Sequence, residues 1–180
     1  MWQQETTKRR TSQSKTVKVQ GFLIDLDYAC ELQSSPTHVP GEVPHTFSTP
    51  FLALDLLSAG NKPQVHHYRH DLESFYWSIV WLVLSFHNIT SAGAFALEKW
   101  QLGSASDIWG HKHYFLRHGC EEVLEKLEDK IPAFKPVADT LKKISDIIRS
   151  GHDALRLPNA DRETAGGHIT FEAFQGAIGS

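Results

Sequence analysis

Two carboxylates, Asp25 and Asp27, follow the short apolar run Phe22-Leu23-Ile24 on alternate positions. In an extended strand they would face opposite sides and could not act as a pair. A turn at Leu26 would bring both to one site. A carboxylate there suits Mg²⁺, which is held through one or two carboxylates plus substrate phosphates. Plain solvation of a strand end accounts for the same residues. Histidines are the other candidate set, eleven in all. His66 and His70 stand at i, i+4 and His111 and His113 two apart. No Cys pair or HExxH motif completes either set to the three or four ligands of a zinc site. GxSxG, GxGxxG and GKS/T are all missing, so nucleophile-elbow hydrolases, dinucleotide folds and P-loop enzymes lack their signatures.

The element that must position these groups is the stretch from Arg69 to Phe86. It opens on the charged tetrad Arg69-His70-Asp71-Leu72 and becomes apolar on almost every side after Ser78. A helix beginning near Leu72 with no polar face is buried or lies in lipid. The run from Phe75 to Phe86 falls short of the ~20 residues that span a bilayer, so a buried central helix is expected, capped by Asp71. Ahead of it, Val17, Val19 and Phe22-Leu23-Ile24, interrupted by Gly21, predict a short β hairpin. Residues 31–50 carry Pro36, Pro40, Pro44 and Pro50 and read as irregular; Phe51 to Leu57 forms a short helical turn ended by Gly60. Behind it the chain reads as nearly all helical: Ala94 to Gln101, a helix capped by Ser106-Asp107 and running to about Arg117, and Glu121 to Lys130. The cleanest apolar spacing is Phe134, Val137, Ala138, Leu141, Ile144, Ile147 and Ile148, closed by Gly151. A last short helix lies within Thr170 to Ile178.

Composition bounds the function. With 41% hydrophobic and 22% charged residues in 180, one domain is expected. The net charge of −3 argues against a nucleic-acid partner. Residues 1–16 are polar and basic around Lys8-Arg9-Arg10 and read as a disordered tail. Cys30 and Cys120 are too few for a disulfide framework; free thiols and the lack of an apolar leader predict an intracellular protein, cytoplasmic or nuclear, with no membrane segment.

The order of features carries more than any one of them. Gly21-Phe22-Leu23-Ile24-Asp25, then Phe51-Leu52-Ala53-Leu54-Asp55, then His70-Asp71-Leu72-Glu73-Ser74-Phe75, and later Leu97-Glu98-Lys99-Trp100 resemble the fungal-type protein kinase family from its metal-binding strand onward. The resemblance implies a mainly α, kinase-like C-lobe at residues 17–151, built on a buried central helix with a short β hairpin near its start. A polar extension at 152–180 with one short helix would follow. It assigns Asp25 to the DFG aspartate, which holds Mg²⁺ against ATP, with Asp27 in place of the usual glycine. Thr46, Ser48 and Thr49 fall in the activation segment. Asp55 takes the place of the APE glutamate that anchors this segment to an arginine; one methylene shorter, it is expected to pair less well. Asp71 matches the helix F aspartate, a structural anchor for the catalytic loop. Within these 180 residues there is no Gly-rich loop, no strand lysine with a helix glutamate, and no His-Arg-Asp followed by Asn. Phosphoryl transfer depends on those parts together, so the resemblance implies a Ser/Thr protein kinase part without activity of its own. The alternative is a non-catalytic, pseudokinase-like interaction module. Either would act on or bind a protein.

Overall fold

The computed structural model describes residues 49–58, 65–86 and 97–179. Among these the architecture is helical, with no β-strand. The hairpin expected at 17–25 and the basic tail lie outside the described residues. A 3₁₀ turn, Thr49–Phe51, leads into α1 (Leu54–Ser58). The long α2 (Tyr68–Phe86) follows, then a single turn, α3 (Glu98–Gln101). Ahead lie α4 (Ala105–Tyr114), a π-helical turn (Phe115–Gly119) and α5 (Cys120–Lys130), which form one continuous rod. After a 3₁₀ turn at Pro132–Phe134 come α6 (Lys135–Ala154) and α7 (Phe171–Ile178). The main packing pairs are α1 on α4, α5 on α6 and α6 on α7, with α2 against α6. No described helix is long and apolar enough to cross a membrane.

α2 departs from its expectation in two ways. It begins at Tyr68, where the His70 amide bonds the His67 carbonyl at 2.9 Å, so Asp71 lies inside the first turn and is not its cap. The earlier start follows from the burial of Arg69 and His70, which hydropathy treats as surface residues. The helix is also buried on one face only. Arg69, His70, Glu73, Tyr76, Trp77, Val80 and Leu84 point inward at the 3–4 residue spacing of a single stripe. Phe75 and Leu82, on the other side, are 52% and 66% exposed. The run of apolar letters hid a stripe, because the inner face owes three of its positions to charged or polar residues.

Aromatic rings fill the space between α2 and the α3–α4 region. Trp77 meets Trp100 edge-to-face at 5.3 Å, and Trp100 meets Phe115 at 5.3 Å. Such pairs add about 0.5–1.5 kcal/mol beyond area burial. Ser104, not Ser106, caps α4, in a reciprocal box with Asp107, the arrangement that satisfies two orphan amides at once. Cys120 is a buried free thiol beside the hydroxyls of Tyr76 (3.4 Å) and Ser145 (3.2 Å). Burial pushes its pKa up. Cys30 lies outside the described residues.

Gly151 does not end α6. The helix continues to Ala154, and the glycine is where Ile169 and Ala165 press against it. Leu155, Ala165, Ile169, Phe174 and Ala177 all join the same core, so residues after 152 are packed into it. A Cβ on Gly151 would stand 2.6 Å from Cγ1 of Ile169 and 3.1 Å from Cβ of Ala165. Gly151→Ala is therefore expected to destabilise the protein by about 1–3 kcal/mol, as overpacked cores do, despite its higher helix propensity. Urea denaturation measures this; a gain in stability would mean that the α6–α7 contact yields easily.

Candidate functional site

The chemistry-bearing residues that the fold brings together surround the segment from Thr49 to Asp55. Among the residues expected to form a site, Asp25, Thr46 and Ser48 lie outside the described residues. Thr49 opens the 3₁₀ turn, Asp55 sits in α1, and Asp71 lies on α2. Asp71 stands apart from the others. Its side chain is 71% exposed and pairs with His66 Nε2 at 3.4 Å.

Asp55 enters a buried charge network. Its Oδ2 accepts from Arg69 Nη2 at 2.6 Å, and its Oδ1 lies 3.5 Å from His152 Nδ1. The shorter side chain thus reaches an arginine. Arg69 in turn donates from Nε to the Arg162 carbonyl at 2.7 Å, tying α2 to the turn after α6. The other ring nitrogen of His152, Nε2, lies 3.0 Å from Glu73 Oε2. Glu73 is fully buried, and its Oε1 accepts from the Leu54 amide at 2.8 Å and Trp77 Nε1 at 3.0 Å. One imidazolium therefore bridges two carboxylates from different elements.

Electrostatics fix the charges. Burial alone would strip His152 of its proton, but Glu73 and Asp55 raise it to about 10. Burial likewise opposes ionisation of Glu73, yet His152, with the Leu54 and Trp77 hydrogen bonds, lowers it to about 2. Burial also acts against the Asp55 carboxylate. His152 and Arg69 overcome this and hold it far below the usual carboxylate range. His70 behaves oppositely: burial, with the Arg69 and His66 charges, drops it to about 3, so it is neutral. Its Nδ1 accepts from the His67 amide at 3.1 Å, which leaves the proton on Nε2. That nitrogen and Arg69 Nη1 are buried without a hydrogen-bond partner among the described residues.

A second anchor comes from α4. Lys112 is fully buried, and its Nζ donates to the Pro50 carbonyl at 3.0 Å and to the Leu52 carbonyl. It also stands 4.3 Å from the centroid of the Trp77 ring, within cation–π reach. Burial lowers it to about 7 against the attraction of Glu73. On the outer side, Phe51 meets Trp81 edge-on at 5.8 Å. Thr49, Pro50, Phe51, Trp81 and Gln101 line an open depression of about 350 Å³. Among the described residues no charged side chain lines it.

Glu73, Lys112 and His152 carry this site, and their letters alone did not announce it. The one available signal was Glu73, an acid within the first two turns of α2 and four residues ahead of Trp77 on the same face. Lys112 and His152 look like the solvated face of a helix. Among the described residues no cluster of three or more His, Cys, Asp or Glu side chains could hold a metal ion.

No curated protein and no solved structure matches the chain. Residues 9–83 match the family model described as fungal protein kinase. The match takes in Asp25, the anchored segment around Asp55 and most of α2. Over that stretch, less than half of its length, the chain is similar to the fungal protein kinase family.

Proposed function

We propose that the chain is a C-lobe part of a fungal-type Ser/Thr protein kinase in which residues 49–55 form an anchored shelf that docks a protein. In this reading Thr46, Ser48 and Thr49 belong to the activation segment, Asp55 is its anchor, and Asp71 holds whatever catalytic loop packs on α2. One observation supports it above others: the shelf is secured from three sides. Glu73 takes the Leu54 amide, Lys112 takes the Pro50 and Leu52 carbonyls, and Arg69 and His152 take Asp55. A segment held so firmly can present side chains with little ordering cost on binding. The neutral depression beside it suits an apolar or aromatic residue of a peptide better than a charged one.

The kinase family implies Mg²⁺ and ATP. Asp25, the residue that would meet the metal, lies outside the described residues. Within these 180 residues there is no Gly-rich loop, no strand lysine with a helix glutamate and no His-Arg-Asp followed by Asn, and phosphoryl transfer depends on those parts together; on that ground this chain is proposed to bind without catalysing.

Selection from a positional-scanning peptide library by the immobilised chain tests the shelf. Enrichment of apolar or aromatic residues at one position is expected, lost in Trp81→Ala; uniform recovery from the parent would overturn the docking reading. Transfer of labelled phosphate to protein from Mg-ATP, abolished by Asp25→Ala, would overturn the non-catalytic reading and favour an active phosphotransferase.

A further inference from the structure

Lys112 Nζ is enclosed by carbonyl dipoles and a ring face, with no carboxylate in contact among the described residues. The groups around it are committed elsewhere. On α1, Asp55 pairs with Arg69 and His152. On α2, Glu73 binds the Leu54 amide, Trp77 and His152, and His70 is neutral. On α6, His152 faces the two acids. Of these only Glu73 acts on Lys112 through its charge, and it does not offset the burial. A lysine in such a place favours the neutral amine, and the amine still carries two N–H groups for the two carbonyls.

We propose that Lys112 is a positioning residue for the shelf, a proton-controlled latch that holds residues 50–52 when neutral and releases them when it takes up a proton. This rests on the docking role of the shelf. Release lets Nζ reach water, where an ammonium is far better solvated than against Trp77. The direction follows from linkage: the open form binds the proton more tightly, so opening is favoured by acid. Between the pKa of the enclosed amine, about 7, and that of a solvated lysine near 10.4, each unit of pH changes the opening equilibrium tenfold. Below about pH 7 both forms carry the proton and the dependence ends.

Hydrogen exchange of the amides in residues 49–57, corrected for intrinsic rates, reads this opening. From pH 7.5 to 8.5 the parent chain is expected to gain roughly tenfold more protection there than Lys112→Arg, whose cation keeps its proton. Lys112→Met should remove the same difference. Equal pH dependence in parent and variants would overturn the latch. Titration of the Lys112 side-chain Cε resonance in the parent needs no variant; a midpoint near that of a free lysine would overturn it as well. Both measurements report the latch whether or not a peptide binds. A Lys112 midpoint near 7 with no peptide selection would sink the docking role alone.

Discussion

Glu73→Ala is expected to cost about 3–5 kcal/mol, the range for removing one member of a buried ion pair and leaving the other charged. Three losses coincide. The Leu54 amide and the Trp77 indole N–H lose their acceptor, and the His152 imidazolium loses the carboxylate 3.0 Å away. Stability of a domain is on the order of 5–15 kcal/mol, and 1 kcal/mol moves the Tm by about 2–4 °C at this size. A fall on the order of 10 °C follows. Glu73→Gln separates the causes, because its carbonyl still accepts from Leu54 and Trp77 while the charge is gone. A loss of about 1–3 kcal/mol is expected there. The presence of the pair is no evidence that it beats an apolar core of equal volume; the cost lies in breaking it. Urea denaturation of both variants decides the matter. If Glu73→Ala stays within about 0.5 kcal/mol of the parent, the shelf is not held through Glu73.

The same residue explains where sequence reading worked and where it stopped. Elements whose burial is carried by apolar side chains were legible. The spacing of Leu141, Ile144 and Ile148 marks α6, and Thr170 bonds the Ala173 amide at the start of α7, as a capping threonine should. Order along the chain, from Asp25 to Glu73, gave the family resemblance that the match over residues 9–83 supports. What stayed hidden depends on partners distant in sequence. Asp55 meets His152 across 97 positions of chain, and nothing near either residue signals the other. Lys112 lies on a helix whose neighbours His111 and His113 are also polar; only the fold makes it interior. The start of α2 was misjudged for that reason. Arg69 and His70 look like the approach to a helix, but they are its first buried turn. The outward-facing Phe75 and Leu82 made the opposite error, apolar letters taken for core.

Stability should be nearly independent of pH between 7.5 and 8.5 in the parent chain and should fall with pH in Lys112→Met. The two buried cations set this result with opposite signs. His152 is raised to about 10 in the folded state from an ordinary value near 6.5. Its contribution is complete below pH 6.5 and is lost as pH climbs toward 10. Lys112 is lowered to about 7 from about 10.4. Its burial is a cost at pH 7 and below, and that cost is relieved as pH rises toward 10.4. Within the window the folded chain holds its extra proton on His152 and the unfolded chain holds one on Lys112. The proton counts of these two groups match, so their slopes cancel, and Cys120, whose thiol burial keeps protonated in the folded chain, adds only a shallow fall as the unfolded thiol begins to ionise. Asp55 and Glu73 are ionised in both states there and add nothing. Deleting the Lys112 amine leaves His152 unopposed, and stability then drops by about 1.4 kcal/mol, or tenfold in the folding equilibrium, over that one pH unit. Paired urea titrations at the two pH values give the slopes directly. A flat Lys112→Met would mean that His152 holds no extra proton in the folded state, and the bridge between Asp55 and Glu73 would have to be given up. A parent that falls with pH as steeply as the variant would mean instead that Lys112 is an ordinary solvated lysine, and the latch would go with it.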